Sequence, residues 1–127
     1  MRRLLDTHTL LWYFENSRRL PDSIAAEIER VDAQNFVSVA SLWEFAIKHS
    51  MGKLNFDGGI SAFWKMITAN EFVILQINEP YLIKLASLPF LHRDPFDRLL
   101  VATAIVEDMT ILTADESIRQ YDVGWVW

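Results

Sequence analysis

The sequence predicts an α/β fold in which helices cover both faces of a parallel sheet. Short apolar runs alternate with longer segments whose apolar residues recur every three or four positions, and this alternation of strands and helices is typical of such sheets. At 127 residues and 51% hydrophobic, the chain has the size of one domain with a sizeable core. We therefore expect a single domain over residues 1–127, with four to five strands.

The chain opens with a strand and two helices. Arg3–Leu5 is a short apolar run, and Thr7–Glu15 carries apolar residues at helical spacing. A surface helix follows, and its single apolar stripe is expected to consist of Ile24, Ile28 and Val31. These segments predict the first strand with one helix packed on the sheet and one nearer the surface.

The middle of the chain repeats this order twice. Asn35–Val39 predicts the second strand, and Ser41–His49 predicts the helix after it. The glycine-containing segment 55–59 is the clearest loop of the chain. A helix over Ile60–Ala69 then leads to the third strand, Phe72–Leu75, which is bounded by polar residues.

The last third supplies the longest helix and two more strands. Glu79–Leu88 predicts a short helix, and the helix from Pro95 to about Glu107 begins at a proline, which suits the first helical turn. Thr110–Leu112 and Val123–Trp127 predict the remaining strands, with a short helix starting at Asp115 between them. The sequence contains no internal repeat and no low-complexity segment.

Four acidic residues lie where a parallel sheet builds its sites. Asp6, Glu44, Asp97 and Asp115 each come just after a strand-like run or in the opening turns of a helix. Ligands of open α/β sheets bind outside the carboxyl ends of the strands, so these carboxylates can converge in one pocket. A divalent metal ion is the natural occupant of such a pocket.

Each acid also has a purely structural explanation. Asp6 and Asp115 sit at helix entries, where an aspartate accepts hydrogen bonds from the first free amides. Asp94 and Asp97 are three residues apart at the start of the longest helix, which is the spacing of a capping box. That helix is apolar nearly all round, so a carboxylate at its start is expected to be partly desolvated and to need a positive partner.

Glu44 is the acid that is hardest to explain structurally, because it lies in mid-helix among apolar residues. Its alternative role is an exposed pair with Lys48 at i, i+4, an interaction worth only about 0.2 to 0.5 kcal/mol. The combination of four such acids favours a shared function over four separate structural roles.

Other polar and aromatic residues are expected to play lesser parts. The chain has no cysteine, and its histidines lack the spacing of a helical zinc pair, which argues against a structural zinc site. Residues that could contact phosphate but are more often only solvated are His49, Lys53, His92, Arg93 and Arg98. Residues expected to build a core or a subunit interface rather than to stack on bases are Trp12, Phe14, Phe45, Phe63 and Trp64. His8 is expected to be a surface residue.

The charge and the apolar runs indicate the cellular setting. The net charge of −5 argues against sequence-blind binding to duplex nucleic acid, which uses a basic face, although bound cations could reverse the field inside an acidic pocket. No run approaches the roughly 18 apolar residues of a membrane helix. Together with the absence of cysteine, this predicts a soluble, cytoplasmic protein with no membrane partner.

Four segments resemble, in order, the motifs of PIN-domain ribonucleases, in particular the VapC-type toxins of bacterial toxin-antitoxin pairs. These segments are Leu4–Trp12, Ser38–Glu44, Arg93–Ala102 and Leu112–Asp115. The resemblance covers nearly the whole chain, and its strength lies in the ordered combination of motifs that are individually weak.

The resemblance implies an α/β/α sandwich with strand order 3-2-1-4-5. It also implies an endoribonuclease site that depends on Mg²⁺ or Mn²⁺ and is formed by Asp6, Glu44, Asp97 and Asp115. An RNA substrate, a cognate antitoxin protein and a homodimer follow from it as well. Thr113 matches a hydroxyl position that supports the metal site in the family, whereas Asp94 is extra and is expected to be a cap.

Three other readings of the acids compete with this one. A receiver-type signalling domain needs an acid at the end of the third strand, and Phe72–Ile77 ends without one. A phosphatase with an Asp-x-Asp pair is disfavoured because Asp6-Thr7-His8 lacks the second aspartate. The third reading is a non-catalytic α/β module that binds a protein partner and uses its acids only as caps.

Overall fold

Five parallel strands form one sheet with the order β3-β2-β1-β4-β5. The computed structural model describes all residues from 1 to 127. The strands are β1 (Arg2–Leu5), β2 (Gln34–Ser38), β3 (Val73–Leu75), β4 (Thr110–Leu112) and β5 (Trp125–Val126). The helices are α1 (Thr7–Phe14), α2 (Asp22–Ile28), α3 (Val39–Ser50), α4 (Gly59–Ala69), α5 (Glu79–Ser87), α6 (Pro95–Glu107) and α7 (Glu116–Arg119).

Two apolar cores lie on opposite faces of the sheet, as expected for an α/β/α sandwich. Successive side chains of a strand point to opposite faces, so Leu4 and Ile111 belong to one core and Leu5 and Leu112 to the other. The first core is completed mainly by α5, α6 and α7, and the second by α1 to α4. The predicted fold class and strand order are confirmed.

The central position of β1 determines where the acidic residues come together. In the sheet, Leu5 is paired with Val37 of β2 on one side and with Leu112 of β4 on the other. The chain leaves these three neighbouring strands at one edge of the sheet, because all of them run in the same direction. The starts of α1 and α3 and the segment before α7 therefore meet at that edge.

The structure corrects the predicted bounds at a few places. Val31 is not part of the apolar stripe of α2, because this helix ends at Ile28 and Val31 is fully exposed. Val39 belongs to α3 rather than to β2, since the Ser38 hydroxyl accepts a hydrogen bond from the amide of Ala40 (3.1 Å) and starts the helix early. The last strand is only Trp125–Val126. None of the seven helices has both the length and the apolar composition needed to cross a bilayer.

Candidate active site

Asp6 begins α1 directly after the central strand, and its side chain is buried. One carboxylate oxygen accepts a hydrogen bond from the amide of Thr9 (2.8 Å), and the other accepts one from the hydroxyl of Thr113. The Thr9 hydroxyl in turn donates to the carbonyl of Leu112 at the end of β4 (2.9 Å). The expected N-cap is therefore present, and the same contacts fix the direction of the carboxylate.

Thr113 joins Asp6 to Asp115. Its hydroxyl oxygen is fully buried and, besides donating to Asp6, accepts a hydrogen bond from the amide of Asp115 (3.0 Å). The Asp115 carboxylate accepts from the amide of Ser117 (2.8 Å) and caps α7. A single buried threonine thus positions the chain so that two acids from different strand ends lie side by side.

Glu44 is buried in α3, with only 5% of the residue exposed. One carboxylate oxygen accepts a hydrogen bond from the Thr7 hydroxyl (2.6 Å), and the other lies 2.7 Å from the Nζ atom of Lys48. The pair with Lys48 that was the structural alternative is present, but its acid is buried rather than exposed, because α3 packs against the start of α1. Thr7 follows Asp6 in the chain, so this hydrogen bond brings Glu44 to the same edge of the sheet.

Asp97 lies in the first turn of α6, where 13% of its side chain is exposed. The predicted cap at Asp94 is confirmed, since its carboxylate accepts hydrogen bonds from the amides of Phe96 (2.8 Å) and Asp97 (3.1 Å). The Asp97 carboxylate does not complete a capping box. It lies 2.9 Å from the Nε2 atom of His92.

Three other acids influence the ionisation of Asp97. Burial raises the pKa of Asp97 to about 7, and the nearby charges of Asp94, Asp115 and Glu44 act in the same direction, while His92 opposes them. Carboxylates raise the pKa of a neighbouring carboxyl group only when they lie close to it. Groups carried by α3, α6 and the β4–α7 connection therefore converge.

Asp6 and Lys48 complete this picture. Burial raises the pKa of Asp6, although Thr113, Thr9 and His8 lower it. For Lys48, burial is the largest influence and lowers the pKa, but its contacts with Glu44 and the charges of Asp94 and Asp97 raise it overall. The site carries more partly buried negative charge than Lys48 balances.

A divalent cation fits this donor set. Hard cations such as Mg²⁺ and Mn²⁺ take carboxylate oxygens, and each carboxylate keeps lone pairs beyond those used in its hydrogen bonds. The only three histidine or carboxylate side chains that place one donor atom each within 4.8 Å of one another are His92, Asp94 and Asp97, so of the four predicted acids only Asp97 belongs to this group. The raised pKa values of Asp6 and Asp97 indicate carboxylates without sufficient positive compensation, which a bound cation would supply.

A cavity of about 310 Å³ opens beside the acids. Its walls are Asp6, His8, Trp12, Arg19, Ala114 and Asp115. A second cavity of about 500 Å³ shares three of these residues and extends toward the loop after α3. The largest cavity, about 620 Å³, lies by the amino ends of β2 and β3 and contains none of the four acids. Small-ligand sites of α/β sheets lie at the carboxyl ends of strands, so the cavity beside Asp6 is the relevant one.

The sequence was also compared with protein families. A family model described as "PIN domain" matches residues 3–124. The chain belongs to the PIN domain family. No curated protein sequence gives a significant match.

Solved structures share this PIN fold over nearly the full length of both chains. VapBC2 from Rickettsia felis, bound to a DNA fragment from its promoter, is 16% identical, with a TM-score of 0.76 over 99% of this chain and 98% of that chain. A toxin-antitoxin complex from Klebsiella pneumoniae is 18% identical (TM-score 0.69; 98% and 96% covered). VapBC-1 from nontypeable Haemophilus influenzae is 21% identical (TM-score 0.70; 99% and 97% covered). At these identities the likeness concerns the fold.

Two basic residues of this PIN domain behave differently from the sequence-based expectation. Arg98 is buried, and its guanidinium donates to the carbonyls of Pro89 (2.9 Å) and Leu85 (3.2 Å) and to the hydroxyl of Tyr121 (3.0 Å), so it does not face a substrate. His92, expected to be a solvated loop residue, contacts Asp97 instead. His92 lies three residues before the start of α6 and Asp97 lies in the first turn of that helix, and this short separation in the sequence was the available signal.

Proposed function

We propose that this PIN domain is a metal-dependent endoribonuclease and the toxin of a type II toxin-antitoxin pair. The observation that carries the proposal is that Asp6 and Asp115, joined through Thr113, line one cavity at the carboxyl ends of parallel strands. The charges of Asp115 and Glu44 also act on Asp97, which supports a shared site. Membership of the PIN family, whose members are generally nucleases, supports the same reading.

The residues divide the work of holding a Mg²⁺ or Mn²⁺ ion. Asp6 and Asp97 are the proposed direct ligands, while Glu44 and Asp115 complete the charge and orient waters. When bound, the ion would supply an acidified water and a Lewis acid for the scissile phosphate. Mg²⁺ commonly keeps several waters and takes only one or two carboxylates directly, which agrees with this division.

The surrounding side chains hold the acids in place. Thr113 donates to Asp6, and Thr7 donates to Glu44, so both carboxylates have fixed orientations. Lys48 offsets part of the negative charge before a cation arrives. Such fixed donors reduce the reorganisation needed when charge develops during phosphate hydrolysis.

The proposed partners are RNA as substrate, a cognate antitoxin protein and a second copy of the chain. The structural relatives support the antitoxin, because they include VapBC complexes and a complex described as toxin-antitoxin. Co-expression with the neighbouring open reading frame, followed by mass determination of the purified complex, tests both the antitoxin and the homodimer.

A non-catalytic protein-binding module is the second candidate, because Asp6, Asp94 and Asp115 do accept helix-capping hydrogen bonds. Capping accounts for these three residues. It leaves the buried Asp97 and Glu44 unexplained, since neither caps a helix.

RNA cleavage by single-site variants separates the two candidates. Asp6→Asn and Asp97→Asn should each abolish cleavage of purified cellular RNA in millimolar Mg²⁺ or Mn²⁺ while the circular dichroism of the fold is retained. Asp57→Asn, which changes an exposed loop acid, is the matched control and should cleave like the wild type. Metal-dependent cleavage that survives in both site variants would exclude the proposed site, and a wild type without cleavage would favour the binding module.

A further inference from the structure

We propose that the cavity beside the acids is a nucleotide subsite, in which the base next to the scissile phosphate of a single-stranded RNA stacks on Trp12 and a backbone phosphate contacts Arg19. The inference rests on the proposed function, and it names how the substrate is held. Nothing in the fold requires an aromatic ring and an arginine to line the same small cavity as two of the acids.

The size of the cavity suits a single nucleotide. At about 310 Å³, it lies at the lower end of the roughly 300–1,000 Å³ range of small-ligand pockets. The walls include Asp6 and Asp115, so a nucleotide bound there has its phosphate beside the proposed metal. A base that is paired in a duplex does not expose its face to such a pocket, which favours single-stranded RNA.

Trp12 is held firmly while it lines the cavity. The residue packs against the core formed by α1 to α4, and its ring centroid lies 5.9 Å from that of Trp127 and 5.8 Å from that of His8. Trp12 was expected to pack rather than to stack on a base; it does pack, but packing leaves the residue only partly buried. A pre-positioned aromatic ring at the edge of a cleft is the platform on which single-stranded bases stack.

The next cavity adds positive charge to that of Arg19. The adjoining cavity of about 500 Å³ shares His8, Trp12 and Arg19 with the first and is also lined by Lys48 and Lys53. Guanidinium and ammonium groups bind phosphate oxygens. Glu15 also lines this second cavity and Lys48 is paired with Glu44, so Arg19 and Lys53 are the cations best placed to meet a phosphate. On a chain of net charge −5, this local concentration of cations provides a path for an RNA backbone.

The test uses a pool of random-sequence, single-stranded RNA 20-mers with Mn²⁺. Trp12→Leu keeps an apolar side chain but removes the ring, and it should raise KM by about tenfold, the lower part of the range expected for loss of one stacked base, with kcat changed less than twofold. Trp12→Phe should restore KM to near the wild-type value. Trp64→Leu removes a partly exposed tryptophan of α4 and should leave KM unchanged.

An abasic nucleotide identifies the position that is bound. In an oligonucleotide that is cut at one known place, an abasic residue on one side of the scissile phosphate should raise the KM of the wild type by the same factor of about ten. It should not raise the KM of Trp12→Leu any further. If the abasic penalty is the same in both proteins, Trp12 does not contact the base and the inference is wrong.

Arg19 is exposed, so its substitution gives a second measurement that does not disturb the core. Arg19→Met should weaken the anisotropy-detected binding of a fluorescein-labelled RNA 20-mer and reduce by about one the slope of log K against log salt. Arg18→Met is the matched control, because Arg18 is also exposed but lines neither cavity. Equal affinities and slopes for the two variants would overturn the phosphate contact.

Failure of the proposed function is distinguishable from failure of the subsite. A wild type that leaves the RNA pool intact in both Mg²⁺ and Mn²⁺ contradicts the nuclease proposal. In that case, weaker RNA binding by Trp12→Leu than by Trp64→Leu would still support the subsite. If no variant or wild type binds RNA, or if Trp12→Leu loses affinity only for a co-purified protein, the RNA subsite is wrong.

Discussion

Replacement of Asp97 by asparagine should stabilise the metal-free protein while it destroys the site. Burial and the neighbouring acids raise the pKa of this carboxyl group from 3.8 to about 7. The unfolded chain therefore loses this proton near pH 4, whereas the folded chain keeps it until about pH 7. Because the folded state binds more protons in this interval, the free energy of unfolding of the wild type falls as the pH rises from about 4 to about 7.

The structure gives an upper limit to the effect. At 1.36 kcal/mol per pH unit, the interval corresponds to roughly 4 kcal/mol. Rearrangement of neighbours and solvent reduces this figure, and the variant also loses a favourable negative charge near a helix N-terminus, worth about 0.3–1 kcal/mol. The contact with His92 can be kept by the asparagine amide. We expect Asp97→Asn to be about 1–3 kcal/mol more stable than the wild type at pH 8.

Urea unfolding in EDTA at pH 5, 6, 7 and 8 measures this difference directly. The advantage of Asp97→Asn should grow between pH 5 and pH 7 and stay constant above it, while Asp57→Asn shows no such trend. Addition of millimolar Mn²⁺ should reverse the order, since only the wild type keeps the ligand. An Asp97→Asn protein that is less stable than the wild type at pH 8, or an advantage that does not vary with pH, would refute the reasoning.

Three further predictions follow from the contacts of the site. Thr113→Val leaves the buried Asp6 without its hydroxyl donor. It should lower the free energy of unfolding by about 1–3 kcal/mol and weaken Mn²⁺ binding measured by calorimetry. The control Thr103→Val removes a hydroxyl bonded only within α6 and should leave Mn²⁺ binding unchanged. Arg98→Met leaves backbone carbonyls at the end of α5 and in the loop after it without their donor, and it should cost about 2–4 kcal/mol in urea unfolding. The exposed Arg93→Met should cost almost nothing. Mn²⁺ at about 100 times its Kd should stabilise the wild type by about 2.7 kcal/mol, and an unchanged melting temperature would contradict the metal site.

The sequence predicted most elements because their patterns are local. Pro95 after a polar loop predicted the start of α6, and the bounds Pro95–Glu107 and Thr110–Leu112 agree with the structure. Val31 was misassigned because its spacing continues the apolar stripe, although α2 ends three residues earlier. Periodicity reports which residues can share a face, but it does not report where the backbone leaves the helix.

The candidate site was predictable as a set of acids but not as a set of contacts. Asp6, Asp97 and Asp115 follow from their places after strands and in helix entries, and Glu44 follows from its place among apolar residues in mid-helix. The burial of Glu44, the contact of His92 with Asp97 and the internal role of Arg98 depend on which helices pack together. For Arg98, the sequence suggested a solvated residue or a phosphate contact, whereas the fold turns its guanidinium toward the end of α5.

The sequence by itself therefore determined the α/β class and the order of the elements, since these depend on local periodicity. It also indicated the four acids of the proposed site, through the rule that parallel strands end at one edge. Only the tertiary structure decided how the acids are joined. The Thr113 hydroxyl donates to Asp6 across 107 positions of sequence and accepts from the amide of Asp115. Trp12 and Arg19 line one cavity with these two acids. Such contacts arise from the packing of distant segments around β1, and no local pattern encodes them.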